Sequence, residues 1–313
     1  MVKRNPTQTT VAVLMGGWSA EREVSLSSGD GCAKALQRAG FKVVPIDVQR
    51  DTILETLKQL KPDVAFNALH GKWGEDGCAS AMLETLQIPY THSGVLASAL
   101  AMHKQKSKSI FREAGIPLAE SKLVDIEIAA ARHPMALPYV LKPVDEGSSV
   151  GVHIITRESN GPAAILLTQR DIFGDQVMAE RFIAGRELSC AVMGDVALGV
   201  TDIVSTGKFY DYKSKYTPGG SHHIFPAEIP ADVYRKCQQY SLMAHQAIGC
   251  RGVSRADFRY DDTHGANGEL ILLEINTQPG MTGTSLVPEL AAHSGHSYEE
   301  LVTWMVNDAS INR

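Results

Sequence analysis

Several things are missing from this chain, and each absence removes a class of protein. No apolar run approaches the roughly 20 residues that a membrane-spanning helix needs, so a membrane partner is not expected. No basic stripe stands out, and the net charge is −5. That balance argues against a nucleic-acid partner, whose phosphates would need neutralising. The five cysteines, Cys32, Cys78, Cys190, Cys237 and Cys250, are odd in number and scattered, with no Cys-x-x-Cys pair. They read as reduced thiols of a cytoplasmic protein rather than a disulfide framework. Residues 1–10 are polar and lack the apolar centre of a signal peptide, which again leads us to expect a cytoplasmic location. Repeats and low-complexity tracts are absent, and so is any G-x-x-x-x-G-K-[ST] phosphate loop.

What is present is ordinary in composition and unusual in arrangement. With 313 residues, 44% hydrophobic and 21% charged, the chain suits a soluble globular enzyme of two or three domains. The first ninety residues alternate strand and helix. Val11–Met15 is a short apolar strand that breaks at Gly16-Gly17, and residues 25–39 have helical spacing up to Gly40. Val43–Ile46, a helix near 53–60, Val64–Phe66 and a helix near 79–86 continue the alternation, which predicts a parallel α/β sheet. Ligands gather at the carboxyl ends of such strands, where Gly16–Glu21 and His70-Gly71 lie.

From about Ser98 the texture changes. Residues 103–113 read as a basic helix, followed by strands at 139–142, 152–155 and 177–182. A third part begins near Arg186 and holds a long loop, 206–221, then a helix at 231–248. The expected division is therefore 1–97, 98–185 and 186–313.

The last part contains Arg255-Ala-Asp257-Phe-Arg259-Tyr260, a turn-rich loop over 261–268, and an apolar strand ending in Glu274-Ile-Asn276. Side chains alternate along a strand, so Glu274 and Asn276 share a face. Pairing Tyr260 with Ile271 across the loop places Asp257 opposite Glu274. Two carboxylates and an amide oxygen are hard ligands suited to magnesium, which keeps waters and takes phosphate oxygens. The alternative is a pair of surface carboxylates bridged to Arg255 and Arg259. A carboxylate interrupting an apolar strand, on the same face as its neighbours and just before a Pro-Gly turn, favours the metal and a nucleotide.

Lys142 ends a strand and precedes Glu146-Gly-Ser148-Ser-Val-Gly151. Glycine backbones and serine hydroxyls can cradle phosphate, although Gly and Ser also make plain hairpin turns.

Together these blocks resemble the ATP-grasp superfamily, and within it the D-alanine–D-alanine ligase family. The matching blocks are Gly16–Ser25, Leu69-His70-Gly71, Gly74–Gly77, Lys142-Pro143, Glu146–Gly151, Lys215-Tyr216, Arg255-Ala-Asp257, Glu274–Met281 and Ser285-Leu286-Val-Pro288. They span 11–288 in the family's order and near its spacing. The resemblance implies an N-terminal parallel, Rossmann-like α/β domain followed by a two-part ATP-grasp fold. It also implies ATP-dependent joining of two D-alanines through an acyl phosphate, for peptidoglycan precursors.

By the same resemblance, Asp257, Glu274 and Asn276 would hold two Mg²⁺ (Mn²⁺ being an alternative) against the ATP phosphates. Lys104 and Lys142 would contact those phosphates, and the adenine would lie along Glu180, Arg181 and Ile183, with Glu187 taking the ribose. Glu21 would bind the first D-alanine's ammonium, with His70 beside it. Arg255 and the Gly280 backbone N–H would stabilise the oxyanion. Ser285, Leu286 and Lys215 would hold the second carboxylate. Tyr216, in the 206–221 loop, would pair with Ser148 and, through it, Glu21, closing the site against water. Simpler roles stay open for three residues: a helix N-terminal charge for Glu21, an N-cap for Ser285 and a core histidine for His70. A homodimer is implied by family analogy.

Trp18, Trp73 and His103 depart from the family pattern and bear on loop packing near the first substrate. A D-alanine–D-lactate ligase is the nearest rival. The Lys215-Tyr216 sequence favours the dipeptide enzyme. A biotin-dependent carboxylase component would lack Gly16–Ser25, and a non-catalytic nucleotide sensor would be expected to have lost Arg255 or a metal ligand.

Overall fold

The computed structural model describes residues 2–147, 150–159, 163–205, 220–263, 265 and 268–313. Its first part is the expected parallel sheet, in strand order β2-β1-β3, with β1 Thr10–Gly16, β2 Lys42–Val48 and β3 Val64–Asn67. Strand β1 is buried on both faces, which explains its unbroken apolar run. Helices α1 (Arg22–Arg38), α2 (Ile53–Leu60) and α3 (Cys78–Thr85) are the crossovers and flank of this sheet.

Two helices, α4 (Val95–Met102) and α5 (Lys104–Glu113), lead out of it. The expected break between 97 and 98 falls inside α4. His103, the N-cap of α5, accepts from the Lys106 N–H at 3.4 Å.

The middle part is an antiparallel sheet of order β4-β7-β5-β6. Its strands are β4 Ser121–Asp125, β5 Tyr139–Lys142, β6 His153–Ile155 and β7 Gln176–Arg181. Helices α6 (Ile126–Ala131) and α7 (Arg170–Phe173) cover its outer face. Ile126, Tyr139, Leu141, Phe173 and Val177 form that core.

The last part is a second antiparallel sheet, β10-β9-β8-β11-β12. Its strands are β8 Arg186–Met193, β9 Val196–Ser205, β10 Ser221–Ile224, β11 Val253–Tyr260 and β12 Leu270–Asn276. Helix α8 (Ala231–Ile248) packs on one face of this sheet, where Leu188, Val200, Phe258 and Leu272 meet Val233, Cys237, Ala244 and Ile248. Each such side chain, fully buried, contributes about 1.5–3 kcal/mol. The helix stops at Gly249, whose φ of +80° is a left-handed conformation that glycine adopts without strain. Helix α9 (Leu286–His293) packs on β8 and β9, and α10 (Tyr298–Asp308) packs against it and returns to α1.

One expected register is corrected. Tyr260 pairs with Leu270, not Ile271, while Asp257 does face Glu274. A β-bulge in between, where Phe258 pairs with Leu272, absorbs the one-residue difference.

Candidate active site

The face of the second sheet opposite α8 is polar. Along β11, Ala256 and Phe258 turn into the core, so Arg255, Asp257 and Arg259 turn the other way. On neighbouring β8, Ser189 lies opposite Asp257, and Glu187 opposite Arg259. Asp257 is nearly buried and accepts from Ser189 Oγ at 2.7 Å, from Arg255 at 2.8 and 2.7 Å, and from Asn276 Nδ2 at 3.1 Å. Glu274 lies beside it, 3.5 Å from Lys104 Nζ. Among the described residues no cluster of three or more His, Cys, Asp or Glu could hold a metal alone. The donor set is therefore two carboxylates and an amide oxygen. That is a poor cage for zinc and a fitting one for Mg²⁺, which draws its other ligands from phosphate and water.

Between the two antiparallel sheets lies an open cleft of about 840 Å³. Val140, Val152, Phe182, Ile183 and Leu273 supply its apolar walls, and Lys104, Lys142, Glu180, Arg181, Glu187, Asp257 and Glu274 its polar ones. Glu180 and Lys108 are fully buried at its floor in a direct ion pair, with Lys142 Nζ 2.5 Å from the second Glu180 oxygen. Burial pushes the Glu180 carboxyl upward, but the two lysines outweigh it and hold the group below the usual carboxylate range. Burial likewise lowers Lys108. Arg181 pairs with Glu269 at 2.5 Å, and Arg259 reaches Glu187 at 3.5 Å.

A second cleft, of about 800 Å³, opens towards the N-terminal sheet and is lined by Glu21, His70, Arg255, Asn276, Gly280, Ser285 and Leu286. Gly147, Glu187, Asp257 and Glu274 line both clefts. The carboxylate of buried Glu21, the N-cap residue of α1, lies against Gly71. A Cβ on Gly71, at φ +72°, would sit 2.9 Å from Glu21 Oε2, so only glycine permits this approach. His70 is buried with both ring nitrogens engaged, Nδ1 with Glu75 and Nε2 with Ser28 Oγ, each at 2.9 Å. Ser285 is the N-cap residue of α9 yet makes no side-chain cap. Its Oγ instead accepts the Thr282 N–H at 2.9 Å.

Comparison with known proteins fits this geometry. The family profile described as D-ala D-ala ligase C-terminus matches residues 110–307. A D-alanine–D-alanine ligase of Parvibaculum lavamentivorans is 63% identical over 303 residues, covering 97% of this chain and 98% of the relative. The chain belongs to the D-alanine–D-alanine ligase family. A D-alanine–D-alanine ligase B of Mesorhizobium japonicum is 59% identical over 97% of this chain and 98% of its own length. Among solved structures, a Bacillus anthracis D-alanine–D-alanine ligase complexed with ATP superposes with a TM-score of 0.79 at 30% identity, covering 96% of each chain. A D-Ala:D-Ser ligase from Enterococcus faecalis gives 0.77 at 27% identity, covering 95% of this chain and 98% of that one. The two antiparallel sheets that enclose the larger cleft are thus the two halves of an ATP-grasp fold, preceded by the parallel α/β part.

All site residues expected from the sequence line one of the two clefts of this ligase, apart from Ser148, Lys215 and Tyr216, which lie outside the described residues. Sequence reasoning missed the partners that hold those residues. Ser189, Lys108 and Ser28 are remote in sequence and carry no local signature, whereas Glu75 lies in the block Gly74–Gly77, without a role having been assigned to it. Register alone could have placed Ser189, had β8 been recognised. The departures Trp18 and Trp73 meet in a tilted contact, 4.6 Å between ring centroids and 46° between planes, with the Arg50 guanidinium 4.8 Å over Trp18. Four cysteines are buried and all five are free. Burial pushes Cys32, Cys190 and Cys250 up to about 12, which makes them poor nucleophiles.

Proposed function

We propose that this chain joins two D-alanines to D-alanyl-D-alanine with ATP, releasing ADP and phosphate, for peptidoglycan precursors. One observation carries the reading. Two adjoining clefts share a wall, and Asp257 and Glu274 lie in that wall with Gly147 and Glu187.

A carboxylate is a poor electrophile, so the first D-alanine's carboxylate takes the γ-phosphoryl group of ATP. This step needs mainly positioning and charge neutralisation. Lys104 and Lys142 contact the phosphates, the adenine lies along Glu180, Arg181 and Ile183, and Glu187 takes the ribose. Asp257, Glu274 and Asn276 would hold two Mg²⁺, which would supply the remaining charge neutralisation. Glu21 orients the first ammonium and His70 lies against that substrate. Ser285, Leu286 and Lys215 hold the second D-alanine's carboxylate. Its amine attacks the acyl phosphate, and Arg255 with the Gly280 N–H stabilises the resulting oxyanion until phosphate leaves. Tyr216 and Ser148 close the site over the intermediate.

The division into 1–97, 98–185 and 186–313, a homodimeric assembly and a cytoplasmic location belong to the same proposal. No helix among the described residues is long and apolar enough to cross a membrane. The test is product identification by mass after incubation with ATP, Mg²⁺ and a mixture of D-alanine, D-serine and D-lactate. The expected main product is D-alanyl-D-alanine. A main product containing serine or lactate, or ATP turnover indifferent to D-alanine, would overturn the reading.

A further inference from the structure

We infer that Ser28 is a positioning residue that ties the first-substrate pocket to the backbone donor at Gly280. The inference rests on the ligation reading above and adds a residue to it. Ser28 lies in α1, fully buried, and belongs to none of the blocks that identified the family. Its Oγ is 2.9 Å from His70 Nε2 and accepts the Met281 N–H at 3.3 Å. On the far side of the imidazole, Nδ1 is 2.9 Å from Glu75.

With the imidazole neutral, the hydrogens fall into one consistent assignment. The Glu75 carboxylate only accepts, so His70 carries its proton on Nδ1. Nε2 is then an acceptor and takes the Ser28 O–H, while a lone pair of Ser28 takes the Met281 N–H. Glu75 thus fixes the tautomer of His70, and the Ser28 hydroxyl links that ring to the Gly280–Met281 peptide. The same loop is held at two more points. Tyr298 O–H donates to the Met281 carbonyl at 2.6 Å, and Gln278 accepts from Asn67 Nδ2 at 2.7 Å while donating to the Leu69 carbonyl.

Gly280 has no side chain with which to anchor itself, and it sits between residues 278 and 281, both tied to the N-terminal part. An oxyanion donor acts only where its N–H meets the developing charge. A misplacement of about 1 Å can cost about 100-fold in rate. Ser28 therefore makes the placement of that N–H depend on the same network that orients His70 against the first substrate.

The experiment compares Ser28→Ala, Tyr298→Phe and Arg255→Lys with the wild type. Each is measured for melting temperature, kcat, KM for ATP and inhibition by a phosphinate dipeptide mimic of the tetrahedral intermediate. Ser28→Ala should lower kcat by about 10- to 100-fold and weaken the mimic by the same factor, with KM for ATP unchanged. Tyr298→Phe should shift both in the same direction by less, and it carries the test alone if Ser28→Ala does not fold. Wild-type kcat and mimic binding in Ser28→Ala, beside a loss of both in Arg255→Lys, would overturn the positioning role and leave the ligation reading standing. A fall in kcat without a matching loss of mimic binding would overturn it as well. If neither Ser28→Ala nor Arg255→Lys weakened the mimic, the oxyanion assignment itself would fall, and the role of Ser28 with it.

Discussion

Asp257 shows what one residue does when several neighbours converge on it. Arg255, Ser189 and Asn276 satisfy both its oxygens, so the protein's own side chains hold the carboxylate in place. Asp257→Asn and Glu274→Gln keep size but remove the charge. Each variant should stay folded and lose about 100- to 1000-fold or more in turnover. A Mg²⁺ titration of ligation checks this, and near-normal turnover at saturating Mg²⁺ would refute the metal assignment. Glu180 behaves differently, because its two lysines are buried with it. Glu180→Gln leaves Lys108 charged and unpaired in the interior, which should cost about 3–5 kcal/mol of stability. The folded carboxyl sits below its unfolded value, so its stabilisation is present above the ordinary carboxylate range and is lost as pH falls through the lower folded value. The stability gap between wild type and Glu180→Gln should therefore shrink in urea melts taken towards pH 3. A gap that held constant would mean Glu180 is not charged in the fold. At this scale the sequence pointed to the residues that line the two clefts, because their types and order are chemically constrained. Their supports Ser28, Lys108 and Ser189 stayed invisible, since any serine or lysine at the right place in space can do such a job.

At the scale of elements, the parallel strands were legible because burial on both faces makes them unbroken apolar runs, as in Val11–Leu14. Strands β8 and β9 were not. Each buries one face on α8, and the other is split between the clefts, at Glu187 and Ile203, and the N-terminal core, at Ala191, Met193 and Leu198, while Gly199 and Asp202 interrupt the pattern further. Asp202 is buried beside Arg186 at 2.5 Å, a pairing that a linear reading cannot anticipate. The hairpin β11–β12 was legible except at its bulge, and the bulge has a consequence. With the outer pairing Tyr260–Leu270 fixed, a regular ladder would set Asp257 against Leu273 and turn Glu274 towards the core. The extra residue returns Glu274 to the cleft. Inserting one alanine after Leu273 should therefore force a choice between a misplaced Glu274 and a slipped outer register, because the bulge already holds one extra residue. The expected outcome is loss of Mg²⁺-dependent turnover with a lowered melting temperature. Retained ligation at wild-type Mg²⁺ dependence would mean that the bulge does not set the site.

Across the whole molecule, the linear order of three parts hides a shared interior. Val11, Val13, Leu36 and Phe66 of the N-terminal part sit in one core cluster with Ala191, Val253, Val287, Leu301 and Met305 from the far end of the chain. Polar contacts reinforce the closure: Arg4 donates to the Val306 carbonyl at 2.6 Å, and Arg38 pairs with Glu299 at 2.6 Å. Nothing in the composition of residues 1–97 signals this, because an apolar helix face reads the same whether its partner is ten or three hundred residues away. The arrangement matters for catalysis, since Glu21 and His70 come from one end of the chain and Arg255 and Gly280 from the other. A site assembled in this way stays aligned only if both ends melt together. Leu301→Ala, which empties a fully buried position in that core, should cost about 2–5 kcal/mol. The loss should extend beyond helix α10. Amide hydrogen exchange in β1 (Thr10–Gly16) should speed up by the same free energy as exchange in β11, because β1 and the second sheet open as one cooperative unit. If β1 kept its wild-type protection while α10 and β11 lost theirs, the N-terminal sheet would be an independent folding unit, and the alignment of the two half-sites would have to come from bound substrate instead.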